Sequence, residues 1–243
     1  MAAASTNVTR VSLELGGKAP AIVMADCDLD LAVRAVRDSR LTNNGQVCNC
    51  AERVYVQASI ADEFIARLSR AFEEMSYGDP LGVAGVGLGP LINRAAVERV
   101  QSMVDRAIGE GARVEAGGRA DDTRGGFFFP PTVLANCEQG MEIMHQEIFG
   151  PVAPVSVFHD LDEAIAKAND CEYGLTSSIY TRDLRNAMRA SNELLFGETY
   201  INRENFEAIQ GFHAGWRKSG IGGADGKHGV YEFTQTHVVY LQL

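Results

Sequence analysis

Residues 21–56 read AIVMADCDLDLAVRAVRDSRLTNNGQVCNCAERVYV, and this stretch decides the fold. Ala21 to Met24 is a short apolar run, and between Asp28 and Asn44 the residues Leu29, Ala32, Val33 and Val36 fall at helical spacing. Val54-Tyr55-Val56 is a second apolar run. Strand, amphipathic helix and strand in that order predict a crossover unit whose two strands lie parallel in one sheet. The turn before the second strand, Asn44-Gly45-Gln46-Val47-Cys48-Asn49-Cys50-Ala51, carries two cysteines one residue apart.

The same alternation continues outward. Ser59 is expected to cap a helix with Phe64, Ile65, Leu68 and Phe72 on one face, and Asp62 stands in its first turn, where the helix dipole favours an acid. Val97, Val100, Val104, Ala107 and Ile108 define another helix, ended by Gly109 and Gly111. Strands are expected at Arg113 to Ala116, Phe127 to Leu134, Val152 to Phe158, Ser177 to Thr181 and Glu198 to Ile201. Helices at Leu161 to Ala168 and Leu184 to Leu194 separate the last three. The fold class is therefore α/β, a largely parallel sheet flanked by helices. Val11 to Leu15 reads as a strand ahead of this array, and Thr236 to Leu243 as a final edge strand that needs a partner.

The chain has 243 residues, 46% hydrophobic and 22% charged, which suffices for a sizeable core and excludes a disordered chain. Its formal charge is −10 with no block of Lys or Arg, which argues against nucleic acid or an anionic membrane as partner. No apolar run reaches the roughly 18 residues of a membrane span. Five cysteines, with no signal peptide before them, imply free thiols in a reducing compartment, the cytoplasm.

Cys27, Cys137 and Cys171 read as small buried hydrophobes. A metal site built on Cys48 and Cys50 needs more soft ligands at matching spacing, and no second CxC, CxxC or HxxxH occurs, so no metal is expected. A disulfide between them would close a strained small ring. Cys48 is left as a nucleophile or a structural thiol. A nucleophile needs a base, and none of His145, His159, His213, His228 and His237 lies near it in sequence. Glu14 lies among Val11, Leu13 and Leu15 and precedes Gly16-Gly17, where a backbone can turn sharply beside a ligand. It is either that base or a solvent-facing residue of an edge strand. The glycine-rich stretches Gly82 to Gly89 and Gly222 to Gly229 lack phosphate-loop spacing, and the second reads as a flexible turn.

Leu13-Glu14-Leu15-Gly16-Gly17-Lys18 with Pro20, followed by Gly45-Gln46 and Cys48, closely resembles the aldehyde dehydrogenase superfamily. Further segments resemble it in order: Gly89-Pro90, Phe129-Pro130-Pro131-Thr132, Glu147-Ile148-Phe149-Gly150-Pro151, Tyr173-Gly174-Leu175-Thr176 and Lys218-Ser219-Gly220-Ile221-Gly222. The resemblance covers essentially the whole chain. It implies that Cys48 is the thiolate nucleophile toward an aldehyde and that Glu14 activates the water that hydrolyses the resulting thioester. It implies NAD as cofactor, with Glu147 on the nicotinamide ribose, Phe149 packed near the ring, and the backbone of Leu15 and Gly16 beside the nicotinamide. Cys50 is then a packing residue.

Two departures shape the expectation. The superfamily's preceding cofactor domain, with its pyrophosphate and adenosine contacts and the asparagine of the oxyanion hole, has no counterpart here, so the chain resembles a C-terminal half. On this reading residues 1–16 are a remnant of the cofactor domain, 17–217 the catalytic domain, and 218–243 a return segment and oligomerisation arm. Secondly, Gly211-Phe212-His213-Ala214-Gly215-Trp216-Arg217 replaces a common Pro-Phe-Gly-Gly. With Val47 to Cys50 and Asn202 to Asn205, this variant most resembles members acting on lactaldehyde and glycolaldehyde. Asn49, Glu207 and His213 then border the aldehyde pocket, where a polar lining selects a 2-hydroxyl group. The alternative is a non-catalytic module that only assembles with other copies, through the apolar edge Val238, Val239 and Leu241.

Overall fold

The computed structural model describes residues 1–82 and 85–243, so part of the glycine-rich stretch after Gly82 lies outside the described residues. Ala19–Val23 (β1) and Ala51–Gln57 (β2) are parallel neighbours, with Ala21 opposite Val54 and Val23 opposite Val56. The helix Leu29–Leu41 (α1) joins them, and the Asp28 side chain caps it by accepting from the Leu31 N–H. The expected crossover unit is present.

Five more strands complete the sheet: Arg113–Ala116 (β3), Thr132–Ala135 (β4), Val152–Phe158 (β5), Thr176–Tyr180 (β6) and Glu198–Ile201 (β7). Their spatial order is β3-β4-β5-β2-β1-β6-β7. Every pairing is parallel except β3 with β4. Alternate residues face opposite sides. Ile22 and Tyr55 join a core with Val100 and Val104 of Arg94–Gly109 (α3), Ala164 of Leu161–Asn169 (α4) and Ala190 of Leu184–Glu193 (α5). Ala21, Val23, Val54 and Val56 join a second core with Val36 of α1 and Phe64, Leu68 and Phe72 of Ala61–Glu73 (α2). Burial on both faces is what makes the central strand β1 continuously apolar.

Several expectations are corrected. Ser59 sits inside a 3-10 turn, Ala58–Ile60, and α2 begins after Ile60 without a side-chain cap. The expected strand from Phe127 starts only at Thr132, because Pro130 and Pro131 have no N–H for a ladder. Of Val11 to Leu15, only Leu13–Glu14 pairs, antiparallel to Gly220–Ile221. Asp225 and the residues after it are no flexible turn, since Gly226–Glu232 forms a short helix (α6). The tail from Thr236 is not a strand within this chain; it is exposed along its length, Val239 at 74% and Leu241 at 81%.

One consequence of the topology positions the site. Gly17 lies two residues before β1 begins, Cys48 precedes β2, Phe149 precedes β5, Thr176 opens β6 and Glu198 opens β7. Because these five strands run parallel, all five residues gather at the amino edge of the sheet.

Candidate active site

Cys48 is half-buried in the turn between α1 and β2. That turn is tightly wound: Asn43, Asn44 and Gly45 have φ of 48°, 58° and 70° in succession. A side chain at Gly45 is excluded twice over, since a Cβ there would lie 2.2 Å from Arg40 Nη2 and 2.3 Å from the Gly150 carbonyl. Gly17 is needed for a different reason, because a Cβ on it would lie 2.4 Å from the Cys48 carbonyl oxygen. The Gly16-Gly17 step thus lets the Glu14 segment run directly beneath the cysteine turn.

Ser219 anchors that segment. Its hydroxyl donates to the Gly16 carbonyl at 2.7 Å and accepts from the Gly174 N–H at 3.0 Å, while its carbonyl accepts from the Leu15 N–H at 3.0 Å. Glu14, its side chain 46% exposed, faces His213, whose Nε2 lies 3.5 Å from Glu14 Oε1. Cys48 Sγ joins them, and the three ligand atoms of Glu14, Cys48 and His213 all lie within 4.8 Å of one another. On its other side the imidazole Nδ1 meets Glu198 Oε1 at 2.5 Å, and the Tyr200 hydroxyl donates to the same carboxylate. Asn49 Nδ2 donates to Glu207 Oε2 at 2.6 Å, and its own Oδ1 is buried with no hydrogen-bond partner among the described residues.

These contacts set the charges. Its contacts with Cys48 and with the Glu198 carboxylate push the His213 imidazole up to about 11. Burial raises the Cys48 thiol, and the Glu14 carboxylate adds to the rise while His213 opposes it. The two directions pull against each other, since an imidazolium favours the thiolate; at Cys48 burial outweighs it, whereas at His213 the Glu198 carboxylate reinforces it. The neighbouring Cys50 is fully buried, and burial pushes its thiol up to about 12, as suits a packing residue.

Glu147 is half-buried beside the Gly16-Gly17 step. Its Oε1 accepts from the Gly17 N–H at 2.8 Å, and its Oε2 would lie only 2.5 Å from a Cβ at Gly16. Burial raises its carboxyl. Phe149, two residues on, is held at φ 50°. Behind them lies a charge cluster that sequence reading missed. Glu52 binds Lys18 Nζ at 2.8 Å and Arg40 Nη1 at 2.7 Å, and accepts from the N–H groups of Ile148 at 2.8 Å and Phe149 at 3.1 Å. Arg40 also donates to the carbonyls of Gly45 and Ala51, both at 2.9 Å. One buried carboxylate therefore ties the cysteine turn to the turn bearing Glu147 and Phe149. The signal was an acid and a base, Glu52-Arg53, inside an apolar strand.

The structure brings Cys48, Glu14 and His213 together, joins Asn49 to Glu207, and sets Glu147 against Gly16 and Gly17. It adds Glu198, Tyr200, Ser219 and Glu52, which lie far from Cys48 in sequence or carry no motif. A parallel α/β sheet with a cysteine and a glutamate converging at its amino edge defines a class. The chain belongs to the aldehyde dehydrogenase family, whose model matches residues 1–239.

Within that family it is 62% identical to lactaldehyde dehydrogenase of Escherichia coli (strain K12), across 100% of this chain and 50% of that protein. A crystal structure of lactaldehyde dehydrogenase from E. coli superposes with a TM-score of 0.97, covering 100% of this chain and 51% of the other. The chain is also 46% identical to a 3,6-anhydro-alpha-L-galactose dehydrogenase of Streptomyces coelicolor, over 100% of this chain and 50% of that protein. The structure of betaine aldehyde dehydrogenase from Staphylococcus aureus, in complex with NAD+, is 37% identical with a TM-score of 0.90 over 95% of this chain and 46% of that one. This chain spans about half the length of the curated relatives it matches.

Proposed function

We propose that this chain is the catalytic portion of an enzyme that oxidises a small 2-hydroxyaldehyde, lactaldehyde or glycolaldehyde, to the carboxylic acid with NAD, through a thioester on Cys48. The observation that carries the reading is the convergence of Cys48 and Glu14 within 4.8 Å in a chain of the aldehyde dehydrogenase family. The Cys48 thiolate attacks the aldehyde carbon, and the carbonyl oxygen takes up the negative charge. When bound, NAD supplies the acceptor for the hydride that leaves this carbon, which converts the adduct to a thioester. Glu14 takes a proton from a water whose oxygen then attacks the thioester carbon; the carbon–sulfur bond breaks, and Cys48 departs as the thiolate with the acid as product. The half-exposure of Glu14 suits this role, because the base must reach water.

The residues present suit the nicotinamide end of the cofactor. Glu147 is fixed by one oxygen on Gly17, and the missing Cβ of Gly16 leaves room beside the other. Glu147 would hold the ribose hydroxyls, Phe149 would pack near the ring, and Leu15 and Gly16 would present backbone to the nicotinamide. For the substrate, Asn49 Oδ1, which has no partner among the described residues, is an acceptor suited to a 2-hydroxyl, with Glu207 and His213 completing the polar lining. We assign the protein to the cytoplasm, on the strength of five free thiols, and expect it to assemble with copies of itself through the exposed tail.

The test compares two proteins: this chain alone, and this chain joined to the half of a lactaldehyde dehydrogenase that it does not match. Most dinucleotide affinity comes from pyrophosphate and adenosine contacts, and hydride transfer needs the ring held within about 3–3.5 Å of the reacting carbon. The joined protein should bind NAD by calorimetry and form NADH with lactaldehyde or glycolaldehyde, while the chain alone does neither. Micromolar NAD binding with turnover by the chain alone, or a folded joined protein with no activity on either aldehyde, would refute the proposal.

A further inference from the structure

Glu14, Cys48 and His213 come from three distant parts of the sequence, yet they offer a carboxylate oxygen, a thiol sulfur and an imidazole nitrogen to one point. We propose that these three residues form a binding site for a zinc ion, which withdraws the cysteine from chemistry when occupied. Local spacing of cysteines and histidines carries no trace of such a site, because the fold alone assembles it.

The donor set selects the metal. Zinc takes thiolate, imidazole and carboxylate ligands, and three protein ligands with one open position is a common arrangement for it. Calcium and magnesium require oxygen ligands almost exclusively and have no use for the sulfur and nitrogen here. The spacing also suits a tetrahedral ion. Bonds of about 2.0–2.3 Å put neighbouring ligand atoms roughly 3.3–3.8 Å apart; His213 Nε2 and Glu14 Oε1 already stand at 3.5 Å. Cys48 Sγ already stands within 4.8 Å of both.

A second and independent feature prepares the imidazole. Metal-bound histidines almost always donate their other ring N–H to a carboxylate, a backbone carbonyl or a water, which fixes the tautomer and aims the free nitrogen. Glu198 does this for His213 at Nδ1, at 2.5 Å, and Tyr200 in turn holds Glu198. Nε2 is left pointing at Glu14. Binding is to the thiolate and the neutral ring, so the thiol proton, and any proton on Nε2, passes to solvent as the ion arrives. The ion's two charges are then balanced by Cys48 and Glu14. Both residues are those the proposed oxidation employs, so zinc would act as an inhibitor rather than a cofactor.

Cobalt(II) is the probe, since it takes zinc sites and reports a thiolate ligand through a charge-transfer band in the near ultraviolet. Titration into the folded chain should yield one equivalent of cobalt with that band, and one equivalent of zinc should bleach it. Cys48→Ala should abolish the band, and wild-type chain alkylated at Cys48 should lack it too, which covers the case of a variant that fails to fold. Glu198→Gln should weaken cobalt binding about 10–100-fold, the usual effect of removing such a supporting carboxylate. A wild-type chain with no thiolate band at millimolar cobalt, a band that survives loss of the Cys48 thiol, or unchanged affinity in His213→Gln would overturn the site. None of these readings requires turnover, so an enzyme that fails to oxidise aldehydes would leave the cobalt result standing.

Discussion

Nζ of Lys18 lies 2.8 Å from Oε2 of Glu52, and neither side chain is more than 1% exposed. A buried pair of this kind is weak evidence of net stabilisation, but breaking it by removing one partner strands a charge and costs roughly 3–5 kcal/mol. Glu52 also faces Arg40 and accepts from two backbone N–H groups, so its loss strands two cations and releases the turn carrying Glu147 and Phe149. Glu52→Ala is expected to lower stability by that amount in urea denaturation, and in the joined protein to raise KM for NAD more than it lowers kcat.

The same carboxylate predicts a pH dependence. Burial works to raise the Glu52 carboxyl, but Arg40 and Lys18 outweigh it and hold the group at about 2, against an ordinary value of 4.5. A depressed pKa contributes stability that is fully present above 4.5 and lost as pH falls from 4.5 toward 2. Denaturation midpoints should fall over that window in the wild type, and the part due to Glu52 should be missing in Glu52→Gln.

Thiol reactivity should set Cys48 apart from the three buried cysteines; Cys171, expected to be buried, is half-exposed. Burial pushes Cys27 up to about 11 and Cys50 and Cys137 up to about 12, and none of the three is open to solvent. Iodoacetamide with peptide mapping should modify Cys48 before these three. Because His213 opposes the rise at Cys48, His213→Gln should slow that labelling several-fold. Equal labelling of all five cysteines in the folded chain would remove the nucleophile.

The tail carries its own prediction. Val238, Val239, Tyr240 and Leu241 are 61%, 74%, 93% and 81% exposed, an apolar run with no partner element among the described residues. Light scattering of the intact chain should show an oligomer, and removal of residues 236–243 should reduce it to a monomer. A monomeric intact chain would rule out assembly through this segment.

Much of the fold was legible because its signals are local. The crossover from Ala21 to Val56 announced itself by apolar spacing, and the strands Arg113–Ala116, Val152–Phe158 and Glu198–Ile201 fall where the pattern put them. The failures have physical causes: two consecutive prolines shortened β4, a 3-10 turn displaced the Ser59 cap, and the tail pairs with nothing among the described residues. The site was legible only in part. Cys48 and Glu14 sit in motifs that resemble a known family, and Asn49, Glu207 and His213 were reached through the same resemblance. Glu198, Tyr200 and Ser219 act through contacts between residues far apart in sequence, which no spacing rule records. Glu52 was visible as a charge within an apolar strand, yet its partners Lys18 and Arg40 become evident only when β1, α1 and β2 pack together.

The central claim is that Cys48 carries the acyl group and Glu14 releases it. It is tested most directly by Glu14→Gln in the joined protein, mixed with NAD and lactaldehyde and followed by NADH absorbance and by mass spectrometry of the Cys48 peptide. A burst of one NADH per site is expected, then a stall with the lactoyl group held on Cys48. Sustained turnover at the wild-type rate, or a burst with no acyl group on Cys48, would contradict it.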